Sequence, residues 1–96
     1  MYIVTYEPEA ENDLFEIVFY YAEQGGFELA ETINNRIRDH IKRLENMPFR
    51  ATESLTVPNS REFLIERLPY KAFYRVGEAS KKVLVLNIVH TSRKHP

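Results

Sequence analysis

Arg61, Arg75, His90, Arg93, Lys94 and His95 all fall between positions 61 and 96 of this 96-residue sequence. They sit in or beside three strand-like runs: Arg61-Glu-Phe-Leu-Ile-Glu-Arg, Pro69-Tyr-Lys-Ala-Phe-Tyr-Arg-Val and Val83-Leu-Val-Leu-Asn-Ile-Val, the last followed by His90-Thr-Ser-Arg-Lys-His-Pro. Consecutive strands would carry guanidinium, ammonium and imidazole groups to one sheet and its edge. Grouped cations suit an anionic partner, and an imidazole that titrates near neutrality adds a means of moving protons.

Other chemistries find little support. Three histidines and no cysteine give no recognisable metal-ligand spacing, disulfide framework or thiol nucleophile. Gly25-Gly26 separates two helical patterns instead of following a strand, so it reads as a turn and not as a phosphate loop. No cofactor and no metal are expected. A composition of 44% hydrophobic and 28% charged residues fits an ordinary globular chain, and no apolar stretch approaches the ~20 residues of a membrane span. The first residues, Met1-Tyr-Ile-Val-Thr-Tyr, lack the basic and long apolar regions of a secretory signal. The expectation is a single cytoplasmic domain over residues 1–96, with no membrane partner.

The formal net charge of -1 conceals a segregation. Residues 1–35 hold eight acidic groups and no Lys or Arg, while residues 36–96 hold all 13 basic groups against six acidic ones, a formal +7. Two arrangements are open: separate acidic and basic faces, or mutual neutralisation across the fold.

Those cations need elements to position them. Tyr2 to Tyr6 reads as a first strand, and Pro8 with Glu7, Glu9 and Glu11 as a helix start. Ala10, Leu14, Ile17, Val18 and Tyr21 form a core-facing stripe, with Phe15, Phe19 and Ala22 as a second stripe that must pack on the next helix, the expected use, or remain available to a partner. Ala30, Ile33, Ile37, Ile41 and Leu44 mark a second helix, from Phe27 to about Asn46, folded back as a hairpin and stopped by Met47-Pro48. Residues 49–60 read as a loop. Arg61 to Arg67, Lys71 to Val76 and Lys82 to Val89 follow as strands with short, hence antiparallel, connections. The last is apolar on both faces apart from Asn87, so it is predicted inside the sheet with Tyr2 to Tyr6 on its other side. The predicted fold class is α+β, in the order β-α-α-β-β-β, a helical hairpin on a four-stranded, mainly antiparallel sheet.

The order of elements and four motifs resemble the RelE/ParE superfamily, the toxins of bacterial type II toxin–antitoxin pairs. The motifs are Ala10-x-x-Asp13-Leu14, Leu44-x-x-x-Pro48, Arg61-Glu-Phe with Pro69-Tyr-x-x-Phe-Tyr-Arg-Val, and Val-x-His90-x-x-Arg93. The resemblance spans essentially the whole chain and looks closer to the ParE side. It implies a plasmid-stabilisation type of toxin that inhibits growth by poisoning DNA gyrase without chemistry of its own, neutralised by a cognate antitoxin in a hetero-oligomer. Phe15, Phe19, Arg61, Arg75, His90, Arg93 and Lys94 are then the candidate target or antitoxin contacts. An acidic, amphipathic antitoxin segment would use the aromatic stripe together with the cations.

The superfamily's other activity, ribosome-dependent mRNA cleavage, is the alternative. It needs a proton acceptor and donor with cations for the developing phosphorane, and His90 or His95 with Arg61, Arg75 and Arg93 would supply them. The chain departs from the RNA cutters in placing Thr91-Ser92 after its last strand. A third possibility is an inactive binding module of the same fold. His90 also has a purely structural reading as a strand-end cap, and Tyr70 and Tyr74 as core or interface aromatics.

Overall fold

The computed structural model describes residues 1–92. Arg93, Lys94 and His95, singled out above, therefore lie outside the described residues. Along the chain run β1 (Ile3–Tyr6), α1 (Pro8–Lys42), a 3₁₀ turn (Arg43–Glu45), β2 (Thr52–Glu53), β3 (Arg61–Ile65), β4 (Tyr70–Gly77) and β5 (Lys82–His90).

Pro8 opens α1 where its missing N–H costs nothing, and Glu9 and Glu11 lie in the first turn. The helix is not straight: Gly26, at φ 88° and ψ −177°, leaves helical geometry and divides it into two arms. Glu11 and Arg38, 27 residues apart, form a 2.9 Å ion pair. In an unbroken helix they would stand about 40 Å apart at ~1.5 Å per residue, so the chain must reverse at Gly26. The predicted hairpin is present. The left-handed φ explains why glycine serves there, since a Cβ would strain it.

Ala10, Leu14 and Ile17 of the first arm and Ile33, Ile37 and Ile41 of the second are buried against the sheet. Arg43 closes the second arm, its N–H bonding the carbonyls of His40 and Ile41, and Leu44 of the 3₁₀ turn seals that end of the core. Each such aliphatic side chain contributes on the order of 1.5–3 kcal/mol by leaving water.

The sheet has five strands, ordered β1-β5-β4-β3-β2. This corrects the expected four: Thr52–Glu53, inside the predicted loop, pairs antiparallel with Glu62 and Arg61. Two residues carry no period-2 signal, so only the pairing reveals the strand. β1 runs parallel to β5, and β4 is antiparallel to both β5 and β3. The apolar strand thus lies inside the sheet with β1 beside it, as predicted. Register slips once: Phe73 pairs with Asn87 and Tyr74 with Val85, leaving Leu86 unmatched as a bulge in β5. Tyr70, Ala72 and Tyr74 of β4 face the hairpin with Phe63, Ile65, Val83, Val85 and Ile88. Among the described residues no helix is long and apolar enough to cross a membrane.

Candidate functional site

Strand β4 positions most of the candidate residues, and its middle differs from its start. In the middle Tyr74 is fully buried and donates its phenol proton to the Pro48 carbonyl at 2.7 Å. Burial raises its pKa, while the nearby arginines Arg61 and Arg50 oppose the rise. Arg61, paired with Tyr74, donates from Nη1 to the Ala51 carbonyl at 2.6 Å and stacks 5.0 Å from the Phe49 ring. These contacts moor the segment that carries β2, and they give Leu44-x-x-x-Pro48 and Arg61 structural work.

At the start of β4 Tyr70 pairs with His90, their rings edge-to-face at 5.4 Å, and Tyr21 meets Tyr70 at 6.5 Å. Burial pushes the Tyr70 phenol far above its ordinary pKa, and the Tyr21 hydroxyl adds to the effect. His90 Nδ1 accepts the Ser92 N–H at 3.2 Å and lies 2.7 Å from Ser92 Oγ. Accepting at Nδ1 leaves the proton of a neutral ring on Nε2. With Asp13, Glu16 and Tyr20, the Tyr70 and His90 rings line a cleft of about 220 Å³.

Asp13 has a role that its sequence position did not announce. β1 follows β5 only as far as Val85, so the β5 edge beyond has no strand partner there. Asp13 Oδ2 accepts the Ile88 N–H at 2.9 Å, with Asn87 Nδ2 3.4 Å away. One carboxylate thus stands in for a strand, between buried Ala10 and Leu14. The available signal was an acid set within an apolar stripe.

Lys71, Phe73 and Arg75 share the sheet face turned away from the hairpin. Lys71 Nζ reaches Glu62 at 3.2 Å and lies 5.3 Å over the buried Phe73 ring, whereas Arg75 is exposed. Tyr70 and Arg75 are five residues apart in β4, about 17 Å at ~3.4 Å per residue, and His90 sits opposite Tyr70 on the hairpin side. Arg61 lies opposite Tyr74, about 14 Å along the strand from Tyr70 by the same spacing. The structure therefore does not gather His90, Arg61 and Arg75 around one point where a phosphate could react.

The second aromatic stripe does not pack on the neighbouring arm, contrary to expectation. Phe15 and Phe19 are 66% and 54% exposed and stack on each other at 6.3 Å. Their helical neighbours one turn away include Glu11, Glu16 and Glu23, and the arm carries no cation. Stripe and cations are thus separate surfaces. Among the described residues Arg38–Glu11 is the one ion pair joining the acidic first third to the basic remainder, the others being His40–Glu66 and Lys71–Glu62. Ion pairing leaves most of the segregated charge unmatched.

Solved structures share this arrangement of hairpin and sheet. The isolated RelE toxin of E. coli superposes with a TM-score of 0.69 at 14% identity, covering 99% of this chain and 89% of that one. A chain of the intact E. coli RelBE toxin–antitoxin complex matches at the same TM-score and identity, over 97% and 100% of the two chains. The fold is that of the RelE/ParE toxins. A chain of the chromosomal ParDE toxin–antitoxin system of P. aeruginosa is 27% identical, with a TM-score of 0.83 over 94% of this chain and 96% of that one. The family described as ParE toxin of type II toxin–antitoxin systems matches residues 4–95, and the chain belongs to it. No curated protein sequence matches.

Proposed function

We propose that this chain arrests growth by binding DNA gyrase through protein contact, without making or breaking bonds itself, and that a cognate antitoxin neutralises it. The observation that carries the reading is the dispersal of His90, Arg61 and Arg75 along β4 and over both faces of the sheet. A phosphoryl-transfer site needs proton transfer and charge stabilisation within hydrogen-bond reach of one atom. Arg61 is committed to a backbone carbonyl and a ring, and His90 Nδ1 to Ser92. Membership of the ParE family supports the same reading. Target contact falls to exposed Arg75 and to the end of β5 at His90, with Arg93 and Lys94 following it in sequence.

The antitoxin is assigned to the hairpin face, because Phe15 and Phe19 offer apolar area that no part of the described chain covers. The likeness to a ParDE structure supports a partner of this kind. Carboxylates around the stripe suit a helical segment bearing apolar and basic side chains.

Pulse labelling of DNA and protein synthesis after inducing the chain without an antitoxin tests the target. DNA synthesis is expected to fail first, and purified protein is expected to inhibit supercoiling by gyrase. Protein synthesis failing first, with intact gyrase activity, would assign the chain to mRNA cleavage instead.

A further inference from the structure

The basic surface has a centre that neither the target contacts nor the hairpin face includes. Between the end of α1 and the β3–β4 turn lies a cleft of about 410 Å³, lined by His40, Arg43, Arg50, Glu66, Arg67 and the apolar Phe63, Ile65 and Leu68. It adjoins a second hollow of about 400 Å³ that shares His40 and Arg43 and adds Arg36. Three arginines from three separate stretches of chain, Arg43, Arg50 and Arg67, line the first cleft, and Arg36 lines the hollow beside it. We propose that this cleft binds an acidic peptide segment of a partner protein, its carboxylates taken by the arginines and an apolar side chain by the floor.

Helix electrostatics explain only part of the cluster. Cations near the end of α1 complement its dipole, which accounts for Arg43 and His40 but not for Arg50 or Arg67. Arg67 adopts φ 67°, a left-handed conformation that is strained for a non-glycine residue and that glycine would take freely. Holding a guanidinium there has no structural return among the described residues, where the side chains of Arg36, Arg43 and Arg67 make no hydrogen bond or ion pair. Arg50 stacks 5.6 Å from the Phe63 ring.

His40 indicates the ligand's chemistry. Its Nδ1 lies 3.3 Å from the Arg36 carbonyl, which can only accept, so that contact places a proton on Nδ1. Nε2 is then the one buried side-chain nitrogen or oxygen among the described residues without a hydrogen bond. The nearest group is already a carboxylate, Glu66 Oε1 at 3.4 Å, on a side chain that is 67% exposed and free to swing out. Only the imidazolium form donates from both nitrogens, and in that form Nε2 would hold an incoming carboxylate in the place Glu66 now occupies.

A peptide fits better than a nucleic acid. Single strands bind by stacking bases on open rings, yet Phe63, the aromatic residue lining the cleft, is 6% exposed and lies beneath Arg50. The floor offers an apolar slot instead.

Fluorescence anisotropy of the purified full chain with a labelled decapeptide of alternating Glu and Leu tests this, beside a Glu/Ser decapeptide of equal charge and an oligo-dT strand. The Glu/Leu peptide is expected to bind tightest, and to weaken as salt screens the charges. Arg43→Ala with Arg67→Gly should lower its affinity about tenfold, as for losing charge-assisted hydrogen bonds. Arg67→Gly alone should weaken binding without lowering thermal stability, which separates a binding role from a folding one. Phe15→Ser should leave peptide affinity unchanged, so failure here and failure of the hairpin assignment are distinguishable. Equal binding by the arginine variants, tighter binding of oligo-dT, or no binding of any probe would each overturn the proposal.

Discussion

Leu14 and Phe15 are consecutive residues on one helical arm, yet the first is 1% exposed and the second 66%. Both are large and apolar, and from sequence both belong to stripes of helical period. Leu14 faces a core closed by Ile37, Ile41, Val85 and Ile88. Phe15 faces outward beside Phe19, ringed by carboxylates. Burial by its own chain makes the first a determinant of stability. The absence of such burial leaves the second free to determine partnership.

The sharpest way to break this contrast is a pair of truncations read by urea unfolding. Leu14→Ala is expected to destabilise by about 2–5 kcal/mol, the range for emptying a buried leucine site. A loss below 1 kcal/mol would mean that the arm is not anchored where Leu14 lies. Asp13→Ala, one position earlier, removes the acceptor of the Ile88 N–H and is expected to cost about 1–3 kcal/mol. Hydrogen exchange should quicken first at Ile88.

Tyr74→Phe extends the test to the middle of β4. Leaving the Pro48 carbonyl without its donor should cost about 1–2 kcal/mol. The same residue sets an alkaline limit. Tyr74, Tyr70 and Tyr6 all have pKa values raised by burial, so above pH ~10 the unfolded chain loses protons that the native state keeps. Stability should be level below that pH and decline as pH rises from there toward the raised native values. In Tyr74→Phe the decline should be shallower, measurable as a smaller drop in Tm between pH 9 and 11.

Phe15→Ser and Phe19→Ser should have the smallest effect on folding, within about 0.5 kcal/mol, as for surface positions. Their effect on antitoxin affinity should instead be at least about tenfold, as for an aromatic anchor at an interface. Unchanged affinity with an intact fold would remove the hairpin face as the antitoxin site.

Much of this was legible because it was local. Ala10, Leu14 and Ile17 mark a core-facing helix by spacing alone, and Gly25-Gly26 mark the reversal. The runs at 61, 70 and 82 announce strands that need only short turns. What escaped depended on distant chain. Asp13 caps a strand edge 75 residues away, and Thr52–Glu53 becomes a strand only through Arg61 and Glu62. The stripe of Phe15 and Phe19 was visible, but its exposure was not, because period reveals that a face exists and not what covers it. Likewise, His90, Arg61 and Arg75 were visible as residue types, while their separation rests on the register of β4 against its neighbours. The cleft's arginines, Arg43, Arg50 and Arg67, stand far apart in sequence and form no motif.

The parallel pairing of β1 with β5 has a bearing on synthesis. Ile3 pairs with Lys82 and Tyr6 with Val85, so the first strand made must wait for almost the last before it has a neighbour. Contacts this far apart in sequence are slow to form. A nascent chain holds its hairpin early and its sheet late. A chain cut short before residue 82 therefore lacks β5, and its β1 and β4 have lost the strand between them.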